Sequence, residues 1–175
     1  MTDQNANTQA VLAELTRVGQ IAAGILDGEE IKTIISDRAM HHLANPHPDH
    51  QYMAGDYFDV DHETFLRTKK LLTRLERLGK VPMDGSVWVR VPETDCVTVA
   101  LHNGANHRYY DFGQLNLPTP PEMQAVFDSG EVTVAPQVEG DRTATVLAPI
   151  RDSLGDVVAI VELTAPLQSP PPAWN

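Results

Sequence analysis

The sequence has 175 residues, of which 42% are hydrophobic and 21% are charged, and its formal net charge is −11. A chain of this length buries about two-thirds of the surface that it exposes when unfolded, so we predict one globular domain. The acidic balance argues against a nucleic-acid partner, because phosphate binding needs clustered Lys and Arg side chains.

The sequence shows no secretion signal or membrane span, and it contains one cysteine. The first residues, MTDQNAN, are polar and lack the basic and then apolar run of a secretion signal. No stretch approaches the roughly 18 apolar residues of a membrane span. Cys96 is the single cysteine, which excludes an intrachain disulfide and a cage of thiolate ligands. We expect a soluble, cytoplasmic protein as the sequence stands, and an extracytoplasmic one if the chain is a fragment of a membrane receptor.

The first predicted element is a helix from about Thr8 to Leu26. Its apolar residues recur at alternating spacings of four and three, which places them along one seam: Val11, Leu15, Val18, Ala22 and Ile25. The seam has two interpretations. It packs on the domain's own core, or it forms a helix-to-helix contact in a homodimer.

Two more helices are predicted before the first strand. Asp27 is a predicted cap, and apolar residues at helical spacing follow it as far as Asn45-Pro46, which stops the helix. Asp61 caps the next helix, and Gly79 ends it as a left-handed cap. The apolar stripe of that helix is Phe65, Leu71, Leu72, Leu75 and Leu78.

From Ser86 the apolar pattern alternates with a period of two, which predicts strands. A helix interrupts them, with Thr119 as its cap, Pro120 in its first position and its end before Gly130. The predicted extended segments are 87–91, 96–101, the further short strand 107–112, 132–134, and a final hairpin over 143–163 around the turn 152–156.

This order favours an α+β fold in which an antiparallel sheet carries helices segregated to one side. The predicted domain covers residues 1–167, with N-terminal helices over 8–79 and a sheet region over 86–164. The Pro-rich end, residues 168–175, cannot continue a sheet and is predicted to be a linker or a free tail.

Residues from about Gln20 to Glu162 resemble the single Cache domain, a PAS-like sensor module of bacterial receptors. Four strings carry the resemblance: IAAGILDGEEI, HETFLRTKKLLTRLERLGKV, PPEMQAVFDSGEVTV and VLAPIRDSLGDVVAIVEL. Ala148 to Asp152 and Gly155 carry most of the signal, and GAF and other PAS-like domains use a similar hairpin. The resemblance covers neither the family's membrane helix nor its output domain, and the family's aromatic and arginine signature for amino acids is not recognisable.

The resemblance implies a five-stranded antiparallel sheet with long N-terminal helices behind it and one mid-domain helix. It also implies a non-enzymatic role in bacterial signal transduction, in which a small molecule is sensed and the output domain is separate or missing. We expect no cofactor.

Aromatic and Arg residues on and after the first strands are the candidate ligand-binding residues. Trp88 and Arg90 share one face of their strand. An aromatic-walled cavity with guanidinium groups suits a small carboxylate or another anion, because Arg bonds a carboxylate through two parallel contacts. The candidates are Trp88, Arg90, Tyr109, Tyr110, Arg142 and Thr145. The alternative is that Trp88 belongs to the core and that the tyrosines lie on a surface loop.

The sequence also contains residues that could support metal binding or nucleophilic catalysis. The stretch from Met40 to His62 holds His41, His42, His47, His50 and several Asp residues, which zinc or nickel could use. Adjacent histidines on a helix point about 100° apart, however, so we expect no metal site. Cys96 with His102 or His107 could form a nucleophile and base, but a thiol in an alternating strand is more simply a small apolar residue.

The sequence therefore leaves three candidate functions. The first is a small-molecule sensor that forms a homodimer through its first helix. The second is a protein-interaction or dimerisation module that has the PAS-like fold and no ligand. The third, and the weakest, is a metal-binding protein built on the His- and Asp-rich loop.

Overall fold

The computed structural model describes residues 2–46, 61–104, 116–136 and 142–167. The predicted strand at 107–112 and the tail at 168–175 lie outside these residues. The helices are α1 (Thr2–Ile25), α2 (Gly28–Lys32), α3 (Asp37–Ala44), α4 (His62–Leu78) and α5 (Pro121–Ser129). The strands are β1 (Asp84–Arg90), β2 (Cys96–His102), β3 (Leu117–Pro118), β4 (Thr133–Val134), β5 (Thr143–Arg151) and β6 (Val157–Pro166).

The strands form one antiparallel sheet in the order β3-β2-β1-β6-β5-β4. The predicted α+β class is confirmed, whereas the predicted count of five strands is corrected to six. The edge strands β3 and β4 have two residues each. Such short segments contain at most one period of apolar alternation, so the sequence pattern cannot distinguish them from loops.

Helices cover both faces of the sheet, which corrects the prediction that they lie on one side. Val87 and Val89 of β1 join the cluster formed with α1 to α4, and Trp88 joins a second cluster with α5. We call these the α1 face and the α5 face. Alternate strand residues point to opposite faces, so both halves of the β1 pattern are buried.

The seam of α1 lies on the α1 face. Val11, Leu15, Val18 and Ala22 are at most 5% exposed, while Ile25 is 47% exposed. Their contacts confirm the interpretation that this seam packs on the chain's own core. A dimer through α1 remains a prediction, and it would have to use the outer surface of the helix.

The helix predicted from Asp27 to Asn45 is two helices. Asp27 caps α2 by accepting from the amide of Glu29, as the sequence predicted a cap there. Ser36 caps α3 by accepting from the amide of Ala39. Ile34 and Ile35, between the two helices, are buried. The break therefore serves core packing, which periodicity alone does not reveal, and Asn45 follows α3 as predicted.

The caps of the later helices are partly as predicted. Asp61 caps α4 by accepting from the amide of Thr64 at 2.9 Å. Gly79 does not adopt the left-handed conformation, because its φ of −69° and ψ of 146° are extended. The N-cap of α5 is Pro120 rather than Thr119, and Gly130 ends α5 with a φ of 67°. Leu78 of the predicted α4 stripe is exposed.

The final hairpin is confirmed. β5 and β6 pair along their length, and Gly155 of the turn has a φ of 90°. Asp152 Oδ1 accepts from the amides of Leu154 and Asp156, which closes the turn. Among the helices of the described segments, none has the length and apolarity to cross a bilayer.

Candidate ligand site

The apolar half of the α5 face is filled by side chains of the protein itself. Helix α5 contributes Met123, Val126 and Phe127, all of which are at most 9% exposed. They pack against the sheet residues Trp88, Val97, Val99, Leu147 and Ile160. This half of the face is therefore core, and a ligand could enter it only by displacing α5.

A network of hydrogen-bonded polar side chains lies on the same α5 face, farther along the strands from the hairpin turn. The indole Nε1 of Trp88 donates to Glu162 Oε2 at 2.7 Å, and Thr164 Oγ1 donates to Glu162 Oε1 at 3.3 Å. Thr145 Oγ1 lies 3.1 Å from Thr164 Oγ1. A hydroxyl has one hydrogen, so Thr145 is the donor when Thr164 donates to Glu162. These four residues are at most 1% exposed, and the hydrogen bonds among them pair their polar atoms within the core.

The structure brings two of the predicted site residues together and places Arg90 and Arg142 outside that pair. Trp88 and Thr145 belong to the hydrogen-bonded network around Glu162. The Arg90 guanidinium lies 4.1 Å from the centre of the Phe127 ring and 3.9 Å from Asp128 Oδ1. Arg142 is exposed just before β5. Tyr109 and Tyr110 lie outside the described residues.

The residue that sequence reasoning missed is Glu162. It lies in the middle of β6 within a run of seven buried residues, Ala159 to Ala165. A carboxylate inside such a run is uncommon unless it is paired. That mismatch between the charge and the apolar run was the signal available in the sequence.

A cleft of about 390 Å³ lies at the opposite end of β1, between helices α2 and α3 and the ends of β1 and β6. Its volume falls within the range typical of small-molecule sites. Apolar side chains form part of its wall: Met40, Ala44, Pro92, Val89 and Val158.

The charged residues around this cleft are balanced. Lys32 and Arg90 are basic, Asp37 and Glu93 are acidic, and His41 adds an imidazole. The Arg90 guanidinium, however, lies over the Phe127 ring on the α5 face. Glu93 has a φ of 60°, a conformation uncommon for residues other than Gly. Opposed charges on an apolar wall suit a small molecule that itself carries both charges.

Lys32 has the best-defined surroundings of these groups. Its Nζ lies 2.9 Å from Glu29 Oε2 and 3.1 Å from Asp152 Oδ2. The hydrogen bond with Glu29, followed by that with Asp152, raises the pKa of Lys32 above its usual value. The hydrogen bond with Lys32 likewise lowers the pKa of the Asp152 carboxyl. Lys32 is therefore a permanent cation at neutral pH.

The metal and nucleophile hypotheses gain no support. Within the described ranges, no three His, Cys, Asp or Glu residues come together as a metal site. His41 and His42 have ring centroids 6.0 Å apart, and His47 and His50 lie outside those ranges. Cys96 is half-buried at the start of β2 and packs against the α1-face cluster.

Comparison with solved structures finds chains of similar fold. The crystal structure of the GAF domain of A. aeolicus nlh2 in an inactive state matches with a TM-score of 0.41 and 15% identity, over 81% of this chain and 82% of that one. No family model matches the chain, and a search of the curated proteins finds no match. The Cache assignment stays a prediction.

Proposed function

We propose that this chain is a PAS-like sensor domain that binds a small molecule in the cleft beside α3. The observation that carries the proposal is the cleft itself, whose volume is about 390 Å³ and whose wall combines apolar side chains with opposed charges. Trp88 and Thr145, which the sequence pointed to, are buried in the core. Among the predicted residues that the structure describes, Arg90 lines the cleft.

The proposed ligand carries a carboxylate and an amine. Lys32 attracts the carboxylate, which agrees in part with the expectation that the ligand is an anion. Asp37 and Glu93 attract a cationic amine and would repel a second carboxylate. A small zwitterion therefore fits the charges better than a simple anion.

Thermal unfolding of the full chain with four probes tests the proposal: L-alanine, L-glutamate, succinate and ethylammonium. A ligand at a hundred times its dissociation constant stabilises the folded state by about 2.7 kcal/mol. We expect L-alanine to raise the melting temperature, L-glutamate to raise it less, and succinate and ethylammonium to leave it unchanged.

A variant in which a larger side chain fills the cleft provides the control. Met40 lines the cleft, so Met40→Trp should abolish the shift with L-alanine. Leu66 is exposed on α4 and does not line the cleft, so Leu66→Trp should keep the shift. The proposal fails if neither zwitterion raises the melting temperature, or if the shift persists in Met40→Trp.

An interaction module without a ligand is the second candidate. It is favoured by apolar residues of α1 that stay partly exposed: Leu12 and Ile21 are half-buried at the border of the core cluster, and Ile25 is 47% exposed. This candidate predicts a stable homodimer in light scattering that Ile25→Lys dissociates, together with no response to the four probes.

A further inference from the structure

We propose that the β5–β6 turn transmits the occupancy of the cleft across the end of the sheet to helix α5. We define the clamped turn as residues Arg151 to Asp156. The inference rests on the proposed function, since it assigns the cleft's ligand a regulatory effect. It arises from a feature that the ligand site alone does not need: the turn is held by helices from both faces of the sheet.

On the α1 face, α2 holds the clamped turn through three contacts. Lys32 Nζ donates to Asp152 Oδ2 at 3.1 Å. Glu29 Oε1 accepts from the amide of Ser153 at 3.2 Å and from its hydroxyl at 2.7 Å. Gly28 completes the contact, because a Cβ added there would collide with the carbonyl of Arg151.

On the α5 face, Arg151 joins the turn to the end of α5. Its Nη1 donates to the carbonyl of Gly155 at 2.7 Å, and its Nη2 donates to the carbonyl of Gly130 at 2.9 Å. Gly130 is the residue that terminates α5. One guanidinium therefore fixes the position of the turn relative to the C-terminus of the helix that covers the second core cluster.

Asp152 connects the two sets of contacts. Its Oδ2 binds Lys32, while its Oδ1 accepts from the amides of Leu154 and Asp156 and so shapes the turn. A change in the position of the Asp152 carboxyl therefore alters both the contact with α2 and the geometry of the turn that presents Gly155 to Arg151.

Lys32 is the point at which a ligand acts, because it belongs to both the cleft and the clamp. Its ammonium already faces the carboxylates of Glu29 and Asp152. A third carboxylate, from the ligand, would place three negative charges around one cation, and the like charges repel one another. The ligand thus favours the state in which Asp152 has moved away from Lys32, and it shifts the population by its difference in affinity for the two states.

Hydrogen–deuterium exchange of the full chain tests the coupling without any ligand. Lys32→Met removes the cation, and Glu29→Gln is a milder variant that weakens the same clamp. Because exposed ion pairs contribute only modestly to stability, we expect exchange about three- to fivefold faster in both variants at the amides of Ser153, Leu154 and Asp156. We expect a similar increase at Gly130, at the end of α5.

Lys70→Met is the matched control, because Lys70 is exposed on α4 and lies outside the cleft and the clamp. It should leave exchange at both sites unchanged. Faster exchange of the turn without any change at Gly130 in either variant would overturn the coupling, as would no change at both sites.

L-Alanine added to the unchanged chain separates this inference from the proposed function. If L-alanine raises the melting temperature, exchange should also increase at the turn and at Gly130. A raised melting temperature without that increase refutes the transmission and leaves the ligand site standing. If L-alanine does not bind while Lys32→Met behaves as expected, the proposed ligand fails and the coupling between α2 and α5 is supported.

Discussion

The indole nitrogen of Trp88 donates to the carboxylate of Glu162 at 2.7 Å, and both residues are 1% exposed. The bond joins the neighbouring strands β1 and β6 in the centre of the sheet. A buried carboxylate is costly unless it is hydrogen-bonded, so Trp88 and Thr164 compensate for the burial of Glu162.

This pair predicts a measurable coupling in stability. Trp88→Phe keeps an aromatic ring and removes the donor, and Glu162→Gln keeps the shape and removes the charge. Each change should lower the free energy of unfolding by about 1–3 kcal/mol, since it leaves a buried polar group with a poorer partner. Urea unfolding of both single variants and of the double variant gives the values.

In the double variant, the loss should be smaller than the sum of the two single losses, because the shared bond is counted in each of them. Strict additivity would mean that the two residues act independently, and that their hydrogen bond does not contribute to stability.

Two glycines near the start of the chain give opposite predictions. Gly28 lies against the carbonyl of Arg151, so Gly28→Ala should destabilise the fold by about 1–3 kcal/mol through overpacking. Gly24 lies in α1, and a Cβ added there meets nothing within 4 Å. Gly24→Ala should therefore stabilise the fold by about 0.5–1 kcal/mol, because Ala loses less backbone entropy in a helix.

Thermal unfolding of the two variants at neutral pH checks the prediction. Equal effects in Gly28→Ala and Gly24→Ala would show that α2 can move away from the hairpin without cost, which contradicts the close contact at Arg151.

Glu14 predicts a pH dependence. The hydrogen bond from Arg17, and then that from the amide of Lys80, lower its pKa from 4.5 to about 2. Because the folded-state pKa is the lower one, ionised Glu14 stabilises the fold fully above pH 4.5, and this contribution is lost as the pH falls towards about 2.

Glu14→Gln should therefore lower the melting temperature at pH 7, and the difference from the unchanged chain should shrink between pH 4.5 and pH 2. Melting curves across this range provide the measurement. Glu131→Gln, at an exposed position after α5, serves as the control and should change stability by less than about 0.5 kcal/mol. A Glu14→Gln difference that stays constant with pH would contradict the assigned cause.

The elements that the sequence predicted well are those set by local chemistry. Asp27 and Asp61 cap helices because their carboxylates accept from nearby amides, and the turn from Asp152 to Asp156 forms for the same reason. These interactions span four residues or fewer, so they can be identified without knowing the rest of the fold.

The errors arose where distant packing decides the structure. The break between α2 and α3 buries Ile34 and Ile35, and Gly79 is extended as the chain leaves α4 for β1. The partner of Trp88, Glu162, is 74 residues away in the sequence, so this contact could not be identified from a local pattern. The cleft likewise combines α2, α3, β1 and β6, and no single segment of the sequence contains its pattern.

The two-residue edge strands limit how another copy of the chain could pair with them. Within the described residues, the sheet ends at Leu117–Pro118 on one side and at Thr133–Val134 on the other. Proline lacks an amide hydrogen, and two residues give an incoming strand few main-chain groups to template on. Addition of a strand to β3 or β4 themselves is thereby disfavoured.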